Sequence, residues 1–428
     1  MSKKLLEMVR EHKAGNPVGV AAVCSAHPLV LRAAAAQAVE DNTVVLIEAT
    51  SNQVDQFGGY TGMRPADFRE LVLKIAAEEG LPADRVILAG DHLGPNRWQK
   101  EPAEQAMAKA LDLVAAYVAA GYEKIHLDCS MALGDETLPL PDSVVAERAA
   151  RMLAVAEATA RGAGLPGPVY VIGTEVPVPG GAHEELGELA ATSPAAARTT
   201  LEAHRQAFTE HGVIDAWDRI IALVVQPAVE FDHLRVIQYD RSKTTELRHV
   251  LDGEPHMLFE AHSTDYQLPE RLKELVEDHW FVIKVGPGLT FNLREGLFAL
   301  SHIEDELIPA EQRSNLRQVI EDQMVADPSR WNSYYVGDED TQRIQRRYSF
   351  SDRLRYYLPD APINAAQEKL LDNLTAVEIP LPLISQYLPL QYERVMRGQL
   401  SADPRALAMD RVKDALRPYS YACHPKKD

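Results

Sequence analysis

Cysteine is scarce in this 428-residue chain. Cys24, Cys129 and Cys423 are odd in number and far apart, which excludes a disulfide framework and fits a reducing compartment; a cytoplasmic location is the expectation. Basic charge is short as well. The chain has 44 Lys and Arg against 63 Asp and Glu, a formal net charge of −19. Nucleic-acid surfaces need basic stripes and anionic lipid repels an acidic chain, so no nucleic acid and no membrane is expected as a partner. No apolar run approaches the ~18 residues of a membrane span. The N-terminal MSKKLLEMVREHKAG has an amphipathic helical pattern without the apolar core of a signal peptide. There is no GxxxxGK[ST] phosphate loop, no kinase glycine loop, and no GxGxxG after the first strand.

What is present is a repeat. Short β-branched runs begin near Val18, Val44, Val86, Lys124, Val169, Ile220, His256 and Phe281, each ending in polar or Gly-bearing residues. Helical stretches such as PADFRELVLKIAAEEG and AEQAMAKALDLVAAYVAAG lie between them, and both end in Gly, the usual residue just past a helix. Repeated strand–helix units imply parallel strands with right-handed crossovers. Eight units close into a (β/α)8 TIM barrel, expected over 1–289; an open doubly wound sheet is the alternative. From 290 to 428 the repeat stops. That segment is rich in Arg and Tyr (RRYSFSDRLRYYLP) and broken by Pro-rich EIPLPLISQYLPLQ. A helical C-terminal extension packed on the barrel is expected, serving as a lid or a subunit contact, with a homo-oligomer as the assembly.

Catalytic side chains of such barrels stand at the C-terminal ends of the strands, and the period of two along a strand says which residues share a face. His126, Asp128 and Ser130 share a face of KIHLDCS; Glu260 and His262 share one of HMLFEAHS; Glu48 and Thr50 share one of VVLIEATS. Polar groups gathered at one end of a barrel interior are costly unless paired or bound to something. Asp91 and His92 in AGDHLGP can serve one site only if the strand curls, which Gly90, Gly94 and Pro95 would allow. His92 reads as an imidazole metal ligand and Asp91 as a proton-transfer group or an orienting partner, against a plain surface loop. Asp128 is a second candidate for moving protons.

Glu175 ends the fifth strand and His262 the seventh. With His92 they make a two-His, one-carboxylate set suited to a divalent metal ion, zinc or similar. The plainer alternatives are a turn-capping Glu and a structural His. Lys284, Gly286 and Gly288 in IKVGPGLTF close the eighth strand, where Gly-bearing loops hold phosphate, or else form a tight turn around Pro287. Ser25 in CSAHP and Asn52 in SNQVDQ are candidate substrate contacts. Cys129 reads as a buried small residue. Arg353 and Arg355 read as an exposed charged helix, with phosphate contact the alternative.

The strings IEATSNQVDQFGGYTGM, GDHLGPNRWQ, KIHLDCSM, IGTEVPVPGG, FEAHSTDYQ, IKVGPGLTF and YSFSDRLRYYLP together resemble the GatZ/KbaZ family. These are Z-type subunits associated with class II D-tagatose-1,6-bisphosphate aldolase, and the resemblance runs in consistent order from near residue 1 to beyond 350. It implies a TIM barrel and two roles: a non-catalytic partner stabilising the zinc aldolase, or a D-tagatose 6-phosphate 4-epimerase yielding D-fructose 6-phosphate. A tagatose-6-phosphate kinase label, also carried in the family, is disfavoured by the missing phosphate loop. The resemblance further implies that Asp91–His92 correspond to the acid/base and first zinc ligand of class II aldolases. It likewise matches His262 to a later ligand and Lys284–Gly288 to the phosphate-adjacent strand. Where that pattern has a histidine on the sixth strand this chain has Gln226, taken here as a substrate contact; the metal set is expected to be altered or lost at that point. The expected partners are a phosphorylated ketose and an aldolase chain. The C4 hydrogen of a 2-ketose is not acidified by its carbonyl, so inversion at C4 needs oxidation or carbon–carbon cleavage. Without a nicotinamide fingerprint, retro-aldol cleavage is the expected route.

Overall fold

The computed structural model describes residues 3–173 and 189–424. Eight parallel strands close into a barrel in sequence order. They are β1 (Val20–Val23), β2 (Val45–Thr50), β3 (Val86–Leu93), β4 (Lys124–Leu127), β5 (Val169–Gly173), β6 (Ile220–Val224), β7 (Leu258–Ala261) and β8 (Trp280–Val285). Each begins within two residues of its expected position. β1 pairs with β8 through Val20–Val282 and with β2 through Ala22–Leu46, which closes the ring. The chain is therefore a TIM barrel with C-terminal helices, and the open-sheet alternative falls.

Helix α1 (Lys3–Lys13) precedes the first strand, and α2 (Pro28–Glu40), α3 (Pro65–Glu78), α4 (Ala103–Ala119), α5 (Asp142–Gly162), α6 (Pro194–Glu210), α7 (Pro269–Glu277) and α8 (Pro287–Leu307) follow strands. Five of these begin at Pro, whose fixed φ and missing N–H suit a first helical turn. α3 and α4 stop just before Gly80 and Gly121, at φ 77° and 84°, as their C-terminal glycines implied. Between β6 and β7 a two-stranded ribbon, Glu230–Phe231 with Val236–Ile237, and short 3-10 turns stand where a helix would be. α8 begins two residues before 289, so the last barrel helix lies mostly in the segment assigned to the extension.

Beyond it come α9 (Leu316–Ala326), α10 (Glu339–Tyr348), α11 (Ala361–Thr375), α12 (Leu381–Tyr387), α13 (Pro389–Met396) and α14 (Pro404–Cys423). α14 returns to the barrel wall and packs on α2, α7, α8 and β1. No described helix is long and apolar enough to cross a membrane.

The barrel interior changes character along its axis. At the N-terminal end of the strands, Val20, Leu46, Ile87, Val169 and Phe281 form an apolar cluster closed from below by Leu5 and Val9 of α1. At the C-terminal end the inward positions become Glu48, Asp91, Lys124, His126, Glu260 and Lys284, all buried.

Candidate active site

Asp91 and His92 do face one site, through a bend at His92 itself. His92 adopts φ 47°, a left-handed conformation uncommon for a residue with a Cβ, and the β3–β4 register shifts between Gly90 and Leu93. Gly94 is required next to it: a Cβ there would sit 1.7 Å from the Asp128 carbonyl oxygen. The kink lets consecutive side chains converge where a straight strand would send them apart.

Three histidines meet at this point. The ring centroids of His92 and His126 are 4.9 Å apart, those of His92 and His262 4.7 Å, and those of His126 and His262 5.6 Å. With Asp91 each offers a donor atom, and the four atoms lie within 4.8 Å of one another. Each ring is fixed by a partner. His92 Nδ1 lies 2.7 Å from Asp128 Oδ2, His126 Nε2 donates to the Gly173 carbonyl at 2.9 Å, and His262 Nε2 lies 3.0 Å from Glu260 Oε1. Asp128 is itself held by Asn96 at 3.0 Å and Ser130 at 2.8 Å. Burial raises the Asp128 carboxyl, but the hydrogen bonds from His92 and Ser130 outweigh it and keep the group well below the usual range. Burial brings the His262 imidazole down to about 4, so it is neutral at pH 7.

Below the histidines lies a layer of paired charge. Lys124 Nζ meets Glu48 at 2.6 Å and Glu260 at 2.8 Å. Lys284 Nζ contacts Asp91 and lies 3.4 Å from Glu48 and 3.3 Å from Glu260. Burial lowers Lys124, but Glu260 and Glu48 outweigh it and hold the ammonium above its usual range. Burial pulls Lys284 below its usual range, against the attraction of Glu48. Among the described residues three carboxylates (Glu48, Asp91, Glu260) thus face two ammonium groups, leaving one excess negative charge beside the histidines. Burial lowers His126 and His262, while at His92 burial is outweighed by Asp128, which raises the imidazole above its usual range. Imidazoles oriented by hydrogen-bond partners, with a carboxylate beside them, are the donor chemistry of a divalent transition metal, so the residues present fit such an ion. Cys24, 3.7 Å from Glu48, belongs to a second donor group, but burial pushes its thiol well up and leaves it a poor ligand.

The cavity above this layer is about 290 Å³ and is lined in part by Asn52, Asp91, His92, Asp128, His262 and Lys284. Gly286 also lines it. Of the other sequence candidates, Ser25 faces a smaller adjoining cavity and accepts the His27 N–H at 3.3 Å. Gln226 is buried away from both: its Oε1 accepts the Val229 N–H at 3.0 Å, and its backbone pairs with Thr192. Glu175 lies outside the described residues. The amides of Gly286 and Gly288 already donate to Asp265 Oδ1, at 2.9 and 2.6 Å, so a side-chain carboxylate fills the loop assigned to phosphate. Lys284 is enclosed by carboxylates rather than directed at that loop.

The sequence reading missed three parts of the site. His126 takes the third-histidine position sought on the sixth strand, and its signal was there in the shared face with Asp128. Asp265 had none. Arg353 and Arg355 are not on an exposed helix: Arg353 is buried against Tyr334 and Tyr356, and Arg355 lines the cavity above the histidines.

Comparison with known proteins adds a family. Residues 5–424 match the family described as D-tagatose-1,6-bisphosphate aldolase subunit GatZ/KbaZ-like. Among solved structures, a probable tagatose 6 phosphate kinase from Sinorhizobium meliloti 1021 is 46% identical, with a TM-score of 0.88 over 95% of this chain and 100% of that one. The YdjI aldolase from Escherichia coli K12 is 12% identical, with a TM-score of 0.42 over 69% of this chain and 85% of that one. Fructose-bisphosphate aldolase from Campylobacter jejuni is 13% identical, with a TM-score of 0.46 over 87% of this chain and 92% of that one. The match across nearly the whole sequence settles the family: this chain belongs to the GatZ/KbaZ-like family of tagatose-bisphosphate aldolase subunits.

Proposed function

We propose that the chain is a metal-dependent 4-epimerase of D-tagatose 6-phosphate, giving D-fructose 6-phosphate by retro-aldol cleavage and re-addition. The observation that carries this reading is the cluster of Asp91, His92, His126 and His262, with donor atoms within 4.8 Å, at the strand ends of the barrel. His92, His126 and His262 would hold the ion, joined by Asp91 or leaving that carboxylate to the substrate. A divalent ion there would polarise the C2 carbonyl and stabilise the negative charge that develops as the carbon–carbon bond breaks.

Asp91 takes the proton of the C4 hydroxyl while the C3–C4 bond breaks and its electron pair passes to the three-carbon enolate fragment. The aldehyde turns over, the same bond re-forms on its opposite face, and Asp91 returns the proton. Lys284, in contact with Asp91, orients that carboxylate toward the hydroxyl whose proton it accepts. Asp128, Glu260 and the Gly173 carbonyl hold the three imidazoles in place, which gives Asp128 a positioning role. The test is to strip the protein with a chelator, restore single divalent ions, and follow tagatose 6-phosphate by phosphorus NMR. Fructose 6-phosphate appears with at least one ion; its absence with all of them rejects the epimerase.

The family's description as an aldolase subunit favours a second reading, a partner that stabilises a catalytic aldolase chain. It predicts co-purification and a raised melting temperature of that chain on mixing. The kinase named for the Sinorhizobium meliloti protein is disfavoured here, because this chain has no GxxxxGK[ST] loop.

A further inference from the structure

Arg355 enters the cavity above the histidines from outside the barrel. It sits on the 3-10 turn Leu354–Tyr356, between α10 and α11, and it also lines the adjoining cavity of about 220 Å³. Its guanidinium donates to the Tyr356 hydroxyl at 3.0 Å and lies 4.9 Å from that ring's centroid. Among the described residues no carboxylate lies within ion-pair distance of it. The acid nearest in sequence, Asp352, is engaged by Arg294 at 3.4 Å and by the Leu354 N–H at 2.9 Å. A guanidinium carries five N–H donors in a planar fork, and one polar partner leaves most of them directed elsewhere.

Two further arginines reinforce the charge. Arg353 lies 4.4 Å over the Tyr356 ring and Arg330 5.9 Å over the Tyr60 ring, with the two tyrosines in edge-to-face contact at 5.2 Å. Burial raises the Tyr356 phenol, yet Arg355 and Arg353 outweigh it and bring the group down to about 8. The wall therefore favours negative charge, in a chain whose net charge is −19. The helix N-terminus that would otherwise receive an anion, at Gly286 and Gly288, is filled by Asp265.

We propose that Arg355 is the phosphate anchor of the substrate, so that the C-terminal segment, and not the glycine loop of β8, supplies the cation that recognises a phosphorylated ketose. This rests on the epimerase reading for the identity of the sugar but not for the presence of the anion site. A phosphate dianion accepts two parallel N–H bonds from a guanidinium, a match that no other cation among the described residues lining the cavity offers, since Lys284 is enclosed by carboxylates. The anchor has a consequence for the chemistry. Cleavage at C3–C4 leaves the phosphate on the aldehyde fragment, which stays tethered through its phosphate while its carbonyl presents the other face.

The test combines binding with turnover, in the full-length chain. Inorganic phosphate raises the melting temperature of the wild-type protein; Arg355→Met loses that response and Arg355→Lys keeps part of it. In Arg355→Met the KM for tagatose 6-phosphate rises about 10- to 100-fold, the scale of losing hydrogen bonds to a charged group, and kcat/KM for unphosphorylated D-tagatose falls far less than that for tagatose 6-phosphate. A wild type indifferent to phosphate, or an Arg355→Met protein that responds as the wild type does, overturns the anchor. Phosphate protection that depends on Arg355, in a protein that never converts tagatose 6-phosphate, upholds the anchor and removes the epimerase.

Discussion

At the N-terminal end of its strands the barrel interior is hydrocarbon: Val20, Leu46 and Phe281 packed on Leu5 and Val9 of α1. At the other end the same strands present Glu48, Lys124, Glu260 and Lys284, then Asp91 and three histidines. The two ends are built from the same alternation of side chains and differ only in what occupies the inward positions. The lower end gains stability from burial alone, at roughly 25 cal/mol per Å² of apolar surface. The upper end holds ions out of water, which is costly unless they are paired, and pairs replaced by apolar residues of similar size are often no less stable. The charged end is where chemistry is to be sought, and the plugged end is where the fold is secured.

The largest effect that would sharpen this contrast is functional. Asp91→Asn is expected to lower kcat about 10²- to 10⁴-fold, the usual span for a proton-transfer group, with the metal retained. Steady-state assay with metal analysis checks it, and wild-type kcat would remove Asp91 from the chemistry. Glu260→Gln tests the charged end for stability. It leaves Lys124 with Glu48 as its one remaining short carboxylate partner among the described residues and makes the hydrogen bond to His262 a neutral one, at an expected cost of about 3–5 kcal/mol in urea unfolding. The double change Lys124→Met with Glu260→Leu is expected to recover most of that loss. If the double variant is as unstable as the single one, the layer carries stability in its own right and the contrast breaks.

Leu5→Ala probes the plugged end, with an expected loss of about 2–5 kcal/mol from the cavity it leaves and turnover per folded molecule unchanged. The smallest effect is acid sensitivity at that end. His12 of α1 is buried, with Nδ1 2.6 Å from the Val18 carbonyl and Nε2 3.0 Å from His279 Nδ1. Burial brings it down to about 4, from 6.5. Above pH 6.5 it is neutral in both folded and unfolded chains; between 6.5 and 4 only the unfolded chain takes up the proton. Stability therefore falls as pH drops through that window, by at most about 3 kcal/mol for this group. His12→Gln should flatten part of the slope of melting temperature against pH, and an unchanged slope would assign the loss to other histidines.

Much of this was legible in the sequence, because alternation and strand spacing are local properties. All eight strands start within two residues of expectation, and Glu48, His126, Glu260 and His262 lie on the inward face that the period of two assigned them. What escaped depends on contacts between distant segments. His126 stands in for the histidine sought at Gln226 because a bulge at His92 brings the ends of β3 and β4 together, and a bend at a residue with a Cβ leaves no compositional mark. Asp265 fills the glycine loop from 21 residues upstream. Arg355 reaches the cavity only through the docking of an extension that has no periodicity tying it to the barrel.

Whether His92, His126 and His262 form one metal-dependent catalytic centre is decided by measuring bound divalent metal and conversion of tagatose 6-phosphate in the same samples of wild type and His126→Gln. The expected result is about one ion per chain with fructose 6-phosphate formed by the wild type, and both lost together in the variant. Undiminished conversion by His126→Gln, or by wild type stripped of metal, would contradict it.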